Sequence, residues 1–300
     1  MSFLTIFSAP KPFTNPHIAT IQRNAIESWL HLAEDVDVVL VGEEAGLAEA
    51  AAKAKVPLLS QVARTASGTP LVSSIFNLAR QHSQSPLLGY VNADMLFLPD
   101  LIQAARTVAS QSEKFLIIGQ RWDLDQPTLL DFSNGWENRL RADIRQRGRL
   151  HTPSGSDYFI FPRALFAEMP DFAIGRAGWD NWMIYFARHQ GWPVVDGTPS
   201  ILAIHQDHDY SHLPGGQPHY NHAESRQNEI LAGGSNKLFM VLDSDRQLRN
   251  GQIRSPKPTL LRVLRQAEVG LNPPDGRPNQ LKKSLARQAR RLRRRISGTL

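Results

Sequence analysis

An acidic residue interrupts one of the most apolar stretches of this chain. In YVNADMLFLPD, residues 90–100, an apolar strand spanning 87–91 ends at Asn92-Ala93-Asp94, and apolar sequence resumes with Met95-Leu96-Phe97. Burying a carboxylate there costs several kcal/mol unless an arginine, a cluster of N–H donors or a metal ion compensates. Taken alone, Asp94 also fits a helix cap or a turn.

Two further groups could do chemistry. In GRAGWDNWM, residues 175–183, Asp180 is flanked by Trp179 and Trp182, two rings large enough to wall an acceptor pocket. An acid at this position suits the first turn of a helix, where the helix dipole favours negative charge. It equally suits a general base whose pKa is lifted by apolar walls. In IHQDHDYSH, His205, His208 and His212 alternate with Asp207 and Asp209, and His219 and His222 follow, so five of the ten histidines fall within 18 residues. Neutral imidazole is a common ligand of Mn, Zn and Fe, while histidines on a loop can also simply be solvated. His205 is the first candidate because it ends an apolar run.

The elements that must position these groups alternate. FLTIFSAP and VDVVLVGEE read as buried strands, and Ile18, Ile21, Ala25, Trp29 and Leu32 recur at helical spacing behind a cap at Thr14 or Asn15. An alanine-rich helix is expected over 45–54. Another begins in GTPLVSSIFNLARQH with Pro70 in its first turn. Strand 87–92, helix 99–111 and strand 115–119 follow. Beyond 120 the pattern loosens, with strands expected at 157–162 and 199–205 and a helix over 178–191. Strand–helix alternation predicts an α/β fold with a mostly parallel sheet covered on both faces. In such a sheet, ligands bind outside the carboxyl ends of the strands. Asp94, Ser8-Ala9-Pro10-Lys11, Gly42-Glu43-Glu44 and Gly119-Gln120-Arg121 all lie at such ends.

Composition limits the classes. There is no cysteine, which excludes disulfides, thiolate metal sites and a cysteine nucleophile and agrees with a cytoplasmic setting. No apolar run is long enough to span a membrane, and MSFLTIFSAPKPF lacks the basic leader of a signal peptide. The net charge of +6 is uneven: residues 277–300 carry nine of the 34 basic residues and no acid, leaving 25 against 28 acidic elsewhere. From about 246 the chain turns Arg-, Pro- and Gly-rich, with a short helical stretch at 259–269. We therefore expect a domain over 1–245 and a linker with a basic tail over 246–300. Leu281, Leu285, Leu292 and Ile296 share one helical face, so 281–296 reads as a basic amphipathic helix suited to an anionic membrane surface, the inner face if the chain is cytoplasmic. A nucleic-acid-binding arm and a disordered tail are the alternatives.

Taken together, FLTIFSAPKPF, VVLVGEE, GTPLVSSIFNLA, YVNADMLF, GQRWDLD, SGSDYFIFP, GRAGWDNWM and IHQDHDYSH resemble the GT-A-type glycosyltransferases, similar to family 2 nucleotide-sugar transferases, over the first 245 residues. The resemblance implies a Rossmann-like GT-A sheet with the basic C-terminal part as an extension. It implies transfer of a sugar, with inversion, from a UDP- or GDP-linked donor to a saccharide or glycolipid acceptor. Asn92-Ala93-Asp94 matches the family's Asp-X-Asp element, implying that Asp94 holds Mn2+ or Mg2+ against the donor diphosphate. Asn92 departs from the pattern, which puts strict metal dependence in doubt. Asp180 is implied as catalytic base, and His205 or His208 as a late metal ligand. Ser8, Pro10 and Glu43 are implied to frame the base, Arg64, Gly68 and Thr69 to precede the donor-binding helix, and Asp157 to wall the donor sugar. Lys11 and Arg121 are the cations available to a diphosphate.

Three rivals remain. A nucleotidyltransferase needs a Gly-rich phosphate loop after the first strand, and SAPKPFTNP is a poor one. A His/Asp metal-dependent hydrolase accounts for residues 205–222 but not for Asp180 between its tryptophans. A non-enzymatic binding module would tolerate replacement of Asp94 or Asp180.

Overall fold

The computed structural model describes residues 1–208 and 222–298. Its centre is a nine-stranded sheet in the order β13-β12-β10-β6-β9-β4-β1-β2-β3. The strands are β1 (Leu4–Ser8), β2 (Val36–Val41), β3 (Leu58–Leu59), β4 (Leu87–Val91), β6 (Leu116–Ile118), β9 (Tyr158–Pro162), β10 (Val194–Asp196), β12 (Arg246–Arg249) and β13 (Gln252–Arg254). Pairing is parallel throughout except at β9, antiparallel to both β4 and β6, and at edge strand β13. A mostly parallel sheet flanked by helices is therefore the architecture, as expected.

Continuous apolar strands form here because both faces of the sheet are covered. Along β1, Leu4 and Ile6 join one core cluster and Phe7 the other, and along β4 Leu87 and Val91 oppose Leu88 and Tyr90. Helices α1 (Pro16–Leu30), α2 (Leu47–Ala54) and α4 (Asp100–Ala109) cover the first face, while α3 (Val72–His82) and α6 (Trp179–His189) cover the second. Asn15 caps α1, its side chain accepting from the N–H groups of His17 and Ile18 ahead of Pro16. Helix α3 starts later than expected. Pro70 lies before it, in a bridge with Arg64, and the N–H of Val72 donates to the Phe172 carbonyl.

A smaller sheet, in the order β5-β11-β7-β8, stands beyond the strand ends. It comprises β5 (Met95–Leu96), β7 (Trp122–Leu124), β8 (Arg149–Leu150) and β11 (Ile204–Gln206), with α5 (Trp136–Arg147) against it. The strand expected at 199–205 is thus confined to 204–206, and α5, β7 and β8 were not anticipated.

The expected break at 245 is crossed by the main sheet. Strand β12 pairs in parallel with β10, and β13 returns beside it. The Arg262 guanidinium of α8 (Leu260–Leu271) then reaches back to the buried Asp196 carboxylate at 2.9 Å. Helices α7 (Ala223–Leu231) and α9 (Gln280–Ser297) complete the described elements. No helix among the described residues is long and apolar enough to cross a membrane.

Candidate active site

The turn after β4 is held from beneath by a buried polar network. Trp29 of α1 donates its indole N–H to the Met95 carbonyl at 2.8 Å. The Gln206 side chain donates to the carbonyls of Asp94 and Ile21, and accepts from Asn24 at 2.9 Å. This fixes β11 against β5, in the register His205–Met95, and brings two histidines to one aspartate. His208 Nε2 lies 3.1 Å from Asp94 Oδ2 and His205 Nε2 lies 4.0 Å from it. One ligand atom from each of Asp94, His205 and His208 falls within 4.8 Å of the others.

Asp94 is 8% exposed, and its Oδ1 is buried with no hydrogen-bond partner among the described residues. Burial raises a carboxyl's pKa, but the His208 hydrogen bond and the charges of His205 and Lys11 outweigh it and hold Asp94 well below the usual range. An ionised, buried carboxylate whose Oδ2 faces two imidazoles and whose Oδ1 is unsatisfied is a donor set that fits a divalent ion. One oxygen and two nitrogens suit Mn2+ or Zn2+ better than Mg2+, which favours all-oxygen shells. Lys11 Nζ stands at the edge of the group, 3.6 Å from Asp94 Oδ2 and 3.2 Å from His208 Nε2.

The other side of His205 faces Asp207, already part of the His/Asp cluster in the sequence, and Asp123, which the sequence did not single out. Nδ1 is 3.4 Å from Asp123 Oδ1 and 3.7 Å from Asp207 Oδ1. Burial lowers an imidazole's pKa, but these two carboxylates overcome it and raise His205 to about 9. Asp123 also accepts from His151 Nδ1 at 2.8 Å and from Arg121 Nε at 2.9 Å. The only hint of Asp123 in the sequence is its place two residues after Arg121.

Arg121 is thereby committed to protein, bridging Asp123 and Asp157, the latter at 2.7 Å. Asp157 in turn accepts from the Asn92 amide at 2.8 Å. This explains the asparagine at 92: an aspartate there would set two carboxylates against each other. Arg121 Nε and Nη1 and the Asn92 amide are thus engaged with other residues of this chain.

Asp180 occupies the first turn of α6, entered through Gly178 at φ +112°, a backbone geometry that L side chains rarely adopt. A side chain at Gly155 would come within 3.2 Å of Asp180 Oδ2, so the 155–157 loop passes directly over the carboxylate. Burial pushes its pKa to about 6, against the opposing N–H donors of Asn181 and Gly178. Asp94, Asp157 and Asp180 also add to burial in pushing up the phenol of Tyr90, which places all three acids around one end of β4.

Several expected contacts are corrected. Trp179 and Trp182, 5% and 6% exposed, do not wall a pocket. Trp179 packs on Tyr90, Phe76 and Phe159, and Trp182 on Phe172 and Phe186, as part of the core. Ser8 is fully buried and donates to the Val91 carbonyl, tying β1 to β4 rather than facing a ligand; Pro10 is buried as well. Arg64 pairs with Glu44 at 3.0 Å and approaches Glu43 at 3.9 Å, while also donating to the Gly68 carbonyl. Thr69 donates to Glu224, which also collects the hydroxyls of Thr65 and Ser67 and the guanidinium of Arg176. Glu224 had not been selected. His212, His219 and Asp209 lie outside the described residues.

No protein-family model matches this chain, and no curated protein does. Among solved structures, it is similar to glucosyl-3-phosphoglycerate synthase from Mycobacterium tuberculosis in complex with Mn2+, UDP and glucosyl-3-phosphoglycerate, at 14% identity and a TM-score of 0.49 over 86% of this chain and 88% of that one. It is similar to mannosyltransferase PcManGT from Pyrobaculum calidifontis in complex with GDP-Man and Mn2+, at 12% identity and a TM-score of 0.46 over 99% and 72%. It is also similar to S. aureus TarS residues 1–349, at 11% and 0.41 over 100% and 73%. Likenesses at this level carry no inference about activity.

Proposed function

We propose that this chain is a GT-A-type glycosyltransferase that moves a sugar from a UDP- or GDP-linked donor to an acceptor hydroxyl. The observation that carries this reading is the buried, ionised Asp94 with its unpartnered Oδ1, set beside His205 and His208 at the carboxyl end of a parallel sheet. These three residues would hold the divalent ion, with Mn2+ favoured by the two nitrogen donors. When bound, the ion neutralises charge developing on the leaving diphosphate.

The chain's own residues supply the rest. Asp123 and Asp207 place negative charge beside Nδ1 of His205, at 3.4 and 3.7 Å, which favours a proton on that nitrogen and leaves Nε2 facing Asp94. Lys11 brings a second positive charge to the diphosphate oxygens. Asp180, at about 6, is deprotonated near neutral pH yet basic enough to accept the proton of an acceptor hydroxyl. A base acting on the acceptor opposite the leaving group corresponds to inversion at the anomeric carbon.

The test is turnover of UDP- and GDP-sugars with Mn2+, read as release of nucleoside diphosphate by wild type and by Asp180→Asn. One donor series should be consumed by wild type and spared by the variant. A metal-dependent hydrolase would use the same His2Asp donors, which is the observation in its favour. Zinc retained through purification, with no nucleotide binding under any condition, would replace the transferase reading with that one.

A further inference from the structure

Helix α9 is mounted the wrong way round for a helix of a water-soluble surface. Two of its arginines, Arg290 and Arg293, turn toward the protein. The Glu268 carboxylate, with a side chain 3% exposed, receives Arg290 at 2.7 Å and Arg293 at 3.1 Å as well as Arg265 at 2.9 Å from its own helix. Arg293 and Ala286 are the buried residues of α9. Its leucines face water: Leu281, Leu285, Leu292 and Ile296 are 67%, 41%, 48% and 46% exposed. At 3.6 residues per turn these four fall within a sector of about 60°, roughly 120° round the helix from Ala286, Arg290 and Arg293. An amphipathic helix ordinarily buries such a stripe against its own core.

We propose that the outward face of α9 docks on an anionic lipid bilayer, lying in the interface with its aliphatic stripe among the acyl chains. The helix carries eight Lys/Arg and no acid. By helical geometry Lys282 borders the stripe on one side, and Arg291 and Arg295 on the other, at the level where lipid phosphates would sit. The other occupants fit less well. A second copy of this chain would set one cationic helix against another. A nucleic acid would neutralise the cations and leave the leucines in water. The Glu268 contacts give the helix a fixed seat, so the stripe is presented already folded. This inference stands on α9 alone and is independent of the function proposed above.

The experiment is flotation of the full chain with phosphatidylcholine vesicles, with and without about a third of phosphatidylglycerol. Two variants accompany it: the stripe set Leu281→Ser, Leu285→Ser, Leu292→Ser and Ile296→Ser, and the border set Lys282→Gln, Arg291→Gln and Arg295→Gln. All seven positions are exposed, so melting temperature should hold in both. Wild type should float with anionic vesicles and weakly with neutral ones, and each set should lower binding by about tenfold or more. Absence of wild-type flotation, or flotation unchanged in the stripe set, overturns the proposal. A dimer in solution that the stripe set dissolves overturns it in favour of a second copy. RNA binding retained by the stripe set, without flotation, overturns it in favour of a nucleic-acid arm.

Discussion

Two regions of this molecule bury charge, and they do it differently. Under α8 and α9 every buried carboxylate meets a guanidinium: Asp196 meets Arg262, Asp243 meets Arg265, and Glu268 meets Arg265, Arg290 and Arg293. At the end of β4, Asp94 is also buried but keeps one oxygen without a hydrogen bond among the described residues, and the groups beside it are two imidazoles and a lysine at the rim. The closed network has no room for a ligand and holds the chain together. The other leaves one oxygen of an ionised group unsatisfied, which is the signature of a site completed by something else.

That contrast can be broken by substitution. Asp180→Asn, at the open site, should cut kcat by about 10²–10⁴-fold while leaving unfolding by urea no easier, because it removes a base and a desolvated charge together. A carboxyl whose folded pKa is raised to about 6 lowers stability as pH climbs from 4 to 6, so the amide should relieve that loss. For wild type, the same value predicts that kcat/KM rises with pH through about 6 and then levels. Arg262→Met, in the closed network, should show the reverse pattern. It leaves Asp196 buried and unpaired and should cost about 3–5 kcal/mol of unfolding free energy with little change in nucleotide affinity.

Smaller effects sharpen the boundary between the two regions. Asp123→Asn removes the carboxylate facing His205 Nδ1 and should weaken Mn2+ binding by about 10–100-fold, measured by calorimetry, with some loss of melting temperature because Arg121 and His151 lose the same partner. Glu224→Gln should cost about 1–2 kcal/mol. Burial raises the Glu224 pKa, but the hydroxyls of Ser67, Thr65 and Thr69 and the charge of Arg176 bring it down to about 2. Its contribution is therefore fully present above pH 4.5 and lost as pH falls toward 2, and the wild-type minus variant difference should vanish in that window.

The same contrast explains what could be read in advance. Strands β1, β2 and β4 announce themselves as apolar runs, and Asp94 is conspicuous because it interrupts one. The antiparallel insertion of β9 between β4 and β6 left no trace, because a strand buried on both faces looks the same in either direction. Nothing local in the sequence shows that Asp196, Asp243 and Glu268 lie opposite Arg262, Arg265 and Arg293, so this network emerges only in the folded chain. Strand β12 and the edge strand β13 are polar and partly exposed, and so resemble linker in sequence. Trp179 and Trp182 were placed on a pocket wall for a related reason: an aromatic beside an acid looks alike whether it packs inward or outward. Asp123 reaches His205 only through the pairing of β7 with β11, a contact between residues 82 positions apart.

The most direct test of the open site is calorimetric titration of UDP and of GDP, each with and without Mn2+, into wild type and Asp94→Asn. The account predicts that one nucleotide binds wild type in a Mn2+-dependent manner and that Asp94→Asn loses this dependence while melting as wild type does. Binding that is indifferent to Mn2+ in wild type, or unchanged in Asp94→Asn, would contradict it.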